Sequence, residues 1–103
     1  MLNHSPAPSR ILDLFAEHCR IQDAAAKHVS PLKGPAEDAE LAAMFWARAD
    51  LIAAEMRSLP CTSAADFAAK VIVETVRGSV SLDWQSDPLW AEARALVGIE
   101  TDG

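Results

Sequence analysis

The stretch SLPCTSAADFAAKVIVETVRG, residues 58–78, decides how this chain is read. It sets a proline, a cysteine and a Thr-Ser pair directly before an apolar-periodic run. Cys61 is therefore either a nucleophile at a helix start or part of the punctuation between two helices. Pro60 biases the residue before it away from helical geometry and ends the preceding element. Thr62 or Ser63 then offers the side-chain oxygen that a helix start needs, and with Ser63 as N-cap, Asp66 falls at the third position of a capping box. Phe67, Ala68, Val71, Ile72, Thr75 and Val76 recur at helical spacing as the expected buried face, with Lys70 and Arg77 outward and Gly78 just past the end. The stretch reads as a junction between helices.

The chain upstream repeats that rhythm twice. Ser9 caps a first helix expected from about Arg10 to Val29, whose apolar positions are Ile11, Leu12, Leu14, Phe15, Ile21, Ala25, Ala26 and Val29. SPLKGP, residues 30–35, breaks the chain with two prolines and a glycine. A second helix then starts at Pro35 with Glu37, Asp38 and Glu40 where the helix dipole favours negative charge, and runs to about Leu59. It carries one stripe of Leu41, Phe45, Ile52, Met56 and Leu59 beside another of Ala42, Trp46, Ala49 and Ala53. A helix apolar over so much of its girth is central or has a partner on its outer side.

Downstream, SVSLDWQSD, residues 79–87, alternates Val80, Leu82 and Trp84 with polar residues. A lone strand there has nothing to pair with, so an ordered loop is expected. Asp87 as N-cap and Pro88 as first residue open a last helix that points Leu89, Trp90, Ala93, Leu96 and Val97 inward and stops at Gly98. The predicted class is all-α: a long antiparallel helical hairpin with two shorter C-terminal helices packed on it. Its expected core is Phe15, Leu41, Phe45, Ile52, Phe67, Val71, Trp90 and Leu96. A single domain over residues 9–98 is flanked by an N-terminal arm, 1–8, and an acidic tail, 99–103.

Charge narrows the function classes. The net charge is −6, and residues 83–103 alone carry −4. Nucleic-acid binding requires a basic surface that displaces counterions from phosphates, and no segment supplies one. A helix-turn-helix regulator built on the last two helices would present SDPLWAEARALVG to phosphate with one arginine against two acids. An acidic inhibitor imitating nucleic acid toward a basic partner is a sharper variant of protein binding. The N-terminus lacks a charged region followed by an apolar one, and no window approaches a membrane span, so a cytoplasmic protein is expected.

Each candidate for chemistry meets a simpler explanation. Cys61 sits where a helix start can lower a thiol pKa, but His4, His18 and His28 all precede it and none follows as a base. Cys19 reads as a small core hydrophobe. His18 and Cys19 are adjacent and diverge around the helix, and His18 and His28 lie about 15 Å apart along its axis, too far to share an ion. Glu37, Asp38 and Glu40 are explained by the helix dipole. No glycine-rich cradle is present. The sequence therefore assigns no catalytic residue, no cofactor and no metal site.

The helices ILDLFAEHCRIQDAAAKHV and AEDAELAAMFWARADLIAAEM, followed by LPCTSAADFAAKV, resemble a group of small, uncharacterised alphaproteobacterial proteins found near prophage or mobile-element genes. The resemblance covers residues 10–77. Asp66 stands where those sequences tend to have glycine, and the region around Trp84 departs from them. The resemblance implies a bacterial cytosolic, phage-associated protein and carries no catalytic residue across. The resulting expectation is a non-enzymatic module that binds a protein partner or a second copy, a homodimer being preferred. Trp46, Ala49 and Ala53 on the second helix, or Trp84, Asp87 and Glu92 in the C-terminal quarter, would form the contact.

Overall fold

Ser9 opens the first helix as expected: its hydroxyl accepts from the Leu12 amide at 3.0 Å. From there the computed structural model describes residues 9–99, all helix, turn or irregular chain without a strand among them. The expected arm, with His4, and residues 100–103 of the expected tail lie outside the described residues. Helix α1 spans Arg10–Lys27, α2 Pro35–Leu41, α3 Ala47–Ser58, α4 Ala64–Glu74 and α5 Pro88–Val97. Between α2 and α3, Ala42–Trp46 forms a π-helical turn. Leu41, Ala42 and Ala47 keep right-handed helical angles, so α2, the π turn and α3 make one unbroken rod.

The core lies where α1, α3 and α4 meet. Ile11 and Leu14 of α1, Ile52 and Met56 of α3, and Ala69 and Val73 of α4 are buried together. Leu12, Phe15, Ile21, Ala53, Leu59 and Cys61 close around them. Ion pairs run along the outside, Arg10 to Glu55 at 2.7 Å and Arg48 to Glu17 at 2.9 Å. At the far end His28 Nε2 lies 2.7 Å from Glu40 Oε2 and its ring packs edge-on against Phe45. Glu40 is thus half-buried and engaged, where dipole complementation alone had been expected. Its carboxyl is held below the usual range, first by His28 and then by Ser30.

Several expected faces are turned. Helix α1 ends at Lys27, because His28 is already extended, and Val29 is left 86% exposed. Helix α4 buries Asp66, Ala69, Lys70 and Val73, one position round from the expected face, leaving Ala68, Ile72 and Val76 exposed. Lys70, expected outside, is among the most buried residues. Of the expected core, Ile52 is buried, while Phe15, Leu41, Phe45, Phe67, Val71 and Trp90 are half-buried and Leu96 is exposed. Helix α5 buries Leu89, as expected, but turns Arg94 inward in place of Leu96 and Val97, and it packs on α4. The smallest extent of the molecule is 21 Å, about two helix diameters.

The reason for the turned face of α4 is polar. Ser63 accepts from the Asp66 amide at 3.0 Å, completing the expected cap. The Asp66 carboxylate receives the Ser9 hydroxyl at 2.7 Å, and the Thr62 amide and hydroxyl at 2.9 and 3.0 Å. A buried carboxylate is tolerable only when its lone pairs are so matched. One side chain therefore joins the starts of α1 and α4.

Helix α4 ends three residues before Arg77, in an unusual way. The Val76 amide bonds the Val73 carbonyl at 3.1 Å and the Arg77 amide bonds the Ile72 carbonyl at 2.8 Å, a Schellman closure. Its left-handed position is filled by Val76, at φ 50, followed by Arg77 at φ 54 and Gly78 at φ 86. Helix α5 ends with the same pair of bonds, Gly98 to Ala95 and Ile99 to Arg94, but with Gly98 at φ 80 in the left-handed place. A β-branched residue there is strained, because its Cβ crowds the backbone.

Two outcomes are expected. Val76→Gly, which removes that crowding at an exposed site, raises stability in urea by roughly 0.5–1 kcal/mol after the entropy cost of glycine; an unchanged or lower midpoint would contradict the strained closure. Asp66→Asn lowers stability at neutral pH by about 1–3 kcal/mol, as for hydrogen bonds to a charged group. The Thr62 amide, then the Ser9, Thr62 and Ser63 hydroxyls, hold the Asp66 carboxyl below its ordinary value against burial, which pushes it up. Its contribution is therefore present above the unfolded carboxyl value of about 4 and is lost as pH falls through the folded one. Acid titration followed by circular dichroism should show the two proteins converging as pH drops below that range.

Candidate functional site

Two concave surfaces flank helix α4, and between them lies a buried ion pair that separates their chemistry. Lys70 Nζ donates to the Leu59 carbonyl and to Glu92 Oε1, the latter at 2.8 Å. The other oxygen of Glu92 accepts from the Cys61 amide at 3.0 Å. Glu92, expected on an outer contact surface, thus has both carboxylate oxygens engaged within the chain. The pair fastens α5 and the 59–61 turn to α4.

This arrangement answers the question raised by Cys61. Its thiol is half-buried beside that carboxylate, and burial, then the hydrogen bond and charge of Glu92, push it up to about 11. Lys70 opposes the shift without reversing it. A thiol so raised carries almost no thiolate near neutrality, and thiolate is the nucleophilic form. The helix start contributes geometry here, and the acid beside it dominates the electrostatics.

The first concave surface runs between the start of α4 and the outer side of α5. It encloses about 500 Å³ and is lined by Cys61, Thr62, Ser63, Ala64, Phe67, Ala93, Leu96 and Val97. Among the described residues, no charged side chain lines it. Leu96 is 54% exposed, Val97 71% and Ile99, just beyond, 53%. Leu96 and Val97 are expected to point inward, and their exposure follows from Arg94 taking the inner position of α5. The Arg94 guanidinium stacks 4.8 Å from the centroid of Trp84 and donates to the Trp84 carbonyl, while Trp90 Nε1 donates to the Leu82 carbonyl at 3.1 Å. The 79–86 segment is an ordered loop pinned to α5 by those bonds, with Asp83 accepting from Gln85 and Ser86 to form its turn.

The second surface lies between α1, the π turn with α3, and the end of α4. It encloses about 460 Å³ and is lined on α1 by His18 and Gln22, and on α4 by Val73, Glu74 and Val76. Trp46, Ala49, Asp50, Ala53 and Arg57 line it from the second rod. The alanines make its floor shallow in side-chain volume and so leave the space open. His18 is lowered from its usual value by burial first and then by Arg77, with Asp50 opposing.

The structure therefore brings together Trp46, Ala49 and Ala53, as the stripe on the second helix implied, but along the concave surface that faces α1 and the end of α4. Ala49 is buried and not on an outer face. Trp84 and Asp87 stand apart from Glu92 in role: Trp84 supports Arg94, and Asp87 caps α5 by accepting from the Leu89 amide at 2.9 Å. His18 is weighed from sequence only as a base or a metal ligand, and Gln22 and Asp50 are not expected beside it. His18 and Gln22 are four apart on α1, and Trp46, Asp50, Ala53 and Arg57 follow at four, three and four, a stripe that spacing alone could have revealed. Among the described residues, no three His, Cys, Asp or Glu side chains converge as a metal would require, and no helix is long and apolar enough to cross a membrane. Comparison with protein-family models, curated proteins and solved structures finds no match.

The rate of Cys61 alkylation by iodoacetamide, resolved from Cys19 by peptide mapping, should rise through about pH 11 and not near the ordinary thiol value. Glu92→Gln removes the neighbouring charge and should bring that midpoint down. An alkylation midpoint near pH 8 in the wild type would show that burial and the Glu92 carboxylate do not hold the thiol up.

Proposed function

We propose that this chain is a small, acidic, non-enzymatic protein-interaction module that associates with a second copy of itself through the α4–α5 groove. The observation that carries the reading is the uncharged, apolar lining of that groove next to exposed Leu96, Val97 and Ile99. A contiguous apolar patch on a thin molecule favours contact with another surface. A chain of net charge −6 repels its own copy wherever carboxylates face one another, and among the described residues none lines the groove. The preferred interface thus moves from the alanine stripe of the second helix to the C-terminal quarter, with Phe67, Leu96 and Val97 replacing Ala49 and Glu92 as its principal residues.

The expected antiparallel hairpin belongs to this reading. It is supported by the pairing of Arg10 with Glu55, Glu17 with Arg48 and His28 with Glu40, early residues with late ones. The likeness of residues 10–77 to prophage-associated bacterial proteins is part of the same proposal. A helix-turn-helix reading fits less well, because residues 75–87 separate α4 from α5 where that motif uses a turn of three or four residues. Arg94, the arginine such a recognition helix would offer to phosphate, is buried.

Light scattering on the purified protein should give a mass twice the 11.1 kDa of one chain. The double variant Leu96→Glu, Val97→Glu places like charges in the groove at two exposed positions and should give the single-chain mass with an unchanged far-ultraviolet spectrum. A wild-type protein that stays at the single-chain mass across a wide concentration range would end the self-association reading.

A further inference from the structure

The lining of the cavity between α1, α3 and α4 carries one charge without a counter-ion among the described residues. Some charged side chains along the helices are matched, Arg10 with Glu55, Arg48 with Glu17 and Lys70 with Glu92, while Asp13, Arg20 and Asp38 face solvent without an ion pair among the described residues. At this cavity the cations are matched as well. Arg57 donates to Glu74 at 2.9 Å, and Arg77 lies 3.8 Å from Asp23. Asp50, by contrast, makes no ion pair or hydrogen bond among the described residues, and neither do the His18 ring, the Gln22 amide or the Trp46 indole N–H. The unmatched charge lining the cavity is therefore negative, and it sits four residues from an indole on the same rod.

The shape adds a second constraint. A volume of about 460 Å³ falls within the range of small-molecule sites, roughly 300–1,000 Å³. The floor is apolar, made by Ala49, Ala53 and Val73, and the Arg57–Glu74 pair stands along its rim. The walls at opposite sides come from irregular backbone: Trp46 is the last residue of the π turn, and Val76 is in the strained left-handed closure of α4. An extra residue in a helix re-aims the side chains around it, and such turns occur often at functional sites.

We propose that this cavity binds a small organic cation, an ammonium group attached to a flat apolar body. The ammonium would be met by the Asp50 carboxylate and the face of Trp46, since an indole ring attracts cations through its quadrupole. The apolar body would lie on Ala49, Ala53 and Val73. His18 and Gln22 supply uncommitted hydrogen-bonding atoms from the opposite wall, and burial and Arg77 keep the imidazole in its neutral form near neutrality, so it adds no competing positive charge. An anionic ligand finds neither nearby arginine unpaired. The site is separate from the α4–α5 groove and does not depend on self-association.

The test uses the whole protein and 2-phenylethylammonium as probe, with 3-phenylpropionate as a probe of similar size and opposite charge, followed by proton–nitrogen correlation spectra. Saturable shifts are expected at the Trp46 indole and at the Ala49 and Ala53 amides, with the Trp84 indole unmoved. The amine should bind at least about tenfold more tightly than the carboxylate, and Asp50→Asn, at an exposed position with no partner to lose, should abolish that preference while leaving the rest of the spectrum in place. Ala53→Leu, which fills the cavity, should abolish the shifts altogether. Equal or tighter binding of the carboxylate, a preference that survives Asp50→Asn, or no saturable shift at these resonances in the millimolar range would each overturn the proposal.

Discussion

The Asp66 carboxylate is the constraint from which the remaining geometry follows. It is buried, and a buried carboxylate must be surrounded by donors or it unfolds its own site. Those donors come from Ser9 and Thr62, so the start of α1 and the start of α4 are held at one point. Four residues later on the same face, Lys70 imposes the same requirement with opposite sign and draws in the Leu59 carbonyl and Glu92. Helix α4 is therefore oriented by two charges, one fastening it to α1 and the other to α5. Val73 and Ala69 occupy the core because they share a face with those charges.

The punctuation of this fold was legible in the sequence, and the rotation of its helices was only partly so. Ser9, Ser63 and Asp87 cap where short-range chemistry says they should, and Gly34 with Pro35 and Gly98 mark their ends. Capping is decided within four residues, so one sequence contains the whole of it. The inner face of α4 is decided by partners 57 and 22 positions away, Ser9 for Asp66 and Glu92 for Lys70. Counting apolar residues assigns lysine to the outside, and it fails where a distant acid and a carbonyl satisfy the ammonium. The same failure inverts α5: Arg94 goes inward onto Trp84, and Leu96 is left out.

The two concave surfaces owe their different character to what the inner faces of their helices carry. Because α4 and α5 turn charged residues inward, their apolar side chains line an exposed groove in which no described residue carries a formal charge. Because α3 carries alanine where a larger residue would fill the space, its inner stripe leaves a cavity bounded by Trp46 and Asp50. The alanine stripe was visible in the sequence as an excess of apolar girth. Its meaning depended on how far α4 stands from the rod, which is set by Asp66 and Lys70 and could not be read from the stripe.

The π turn at Ala42–Trp46 gives the second rod a property beyond the positioning of one tryptophan. One residue more than an α-helix needs is held there without interrupting the rod, so the faces of α2 and α3 are offset by roughly the 100° of a single residue. The segment upstream answers to His28 and the 30–35 turn, and the segment downstream answers to the three-helix core. The turn is thus a phase adjuster: loss of one residue within it would re-index one half of the rod against the other.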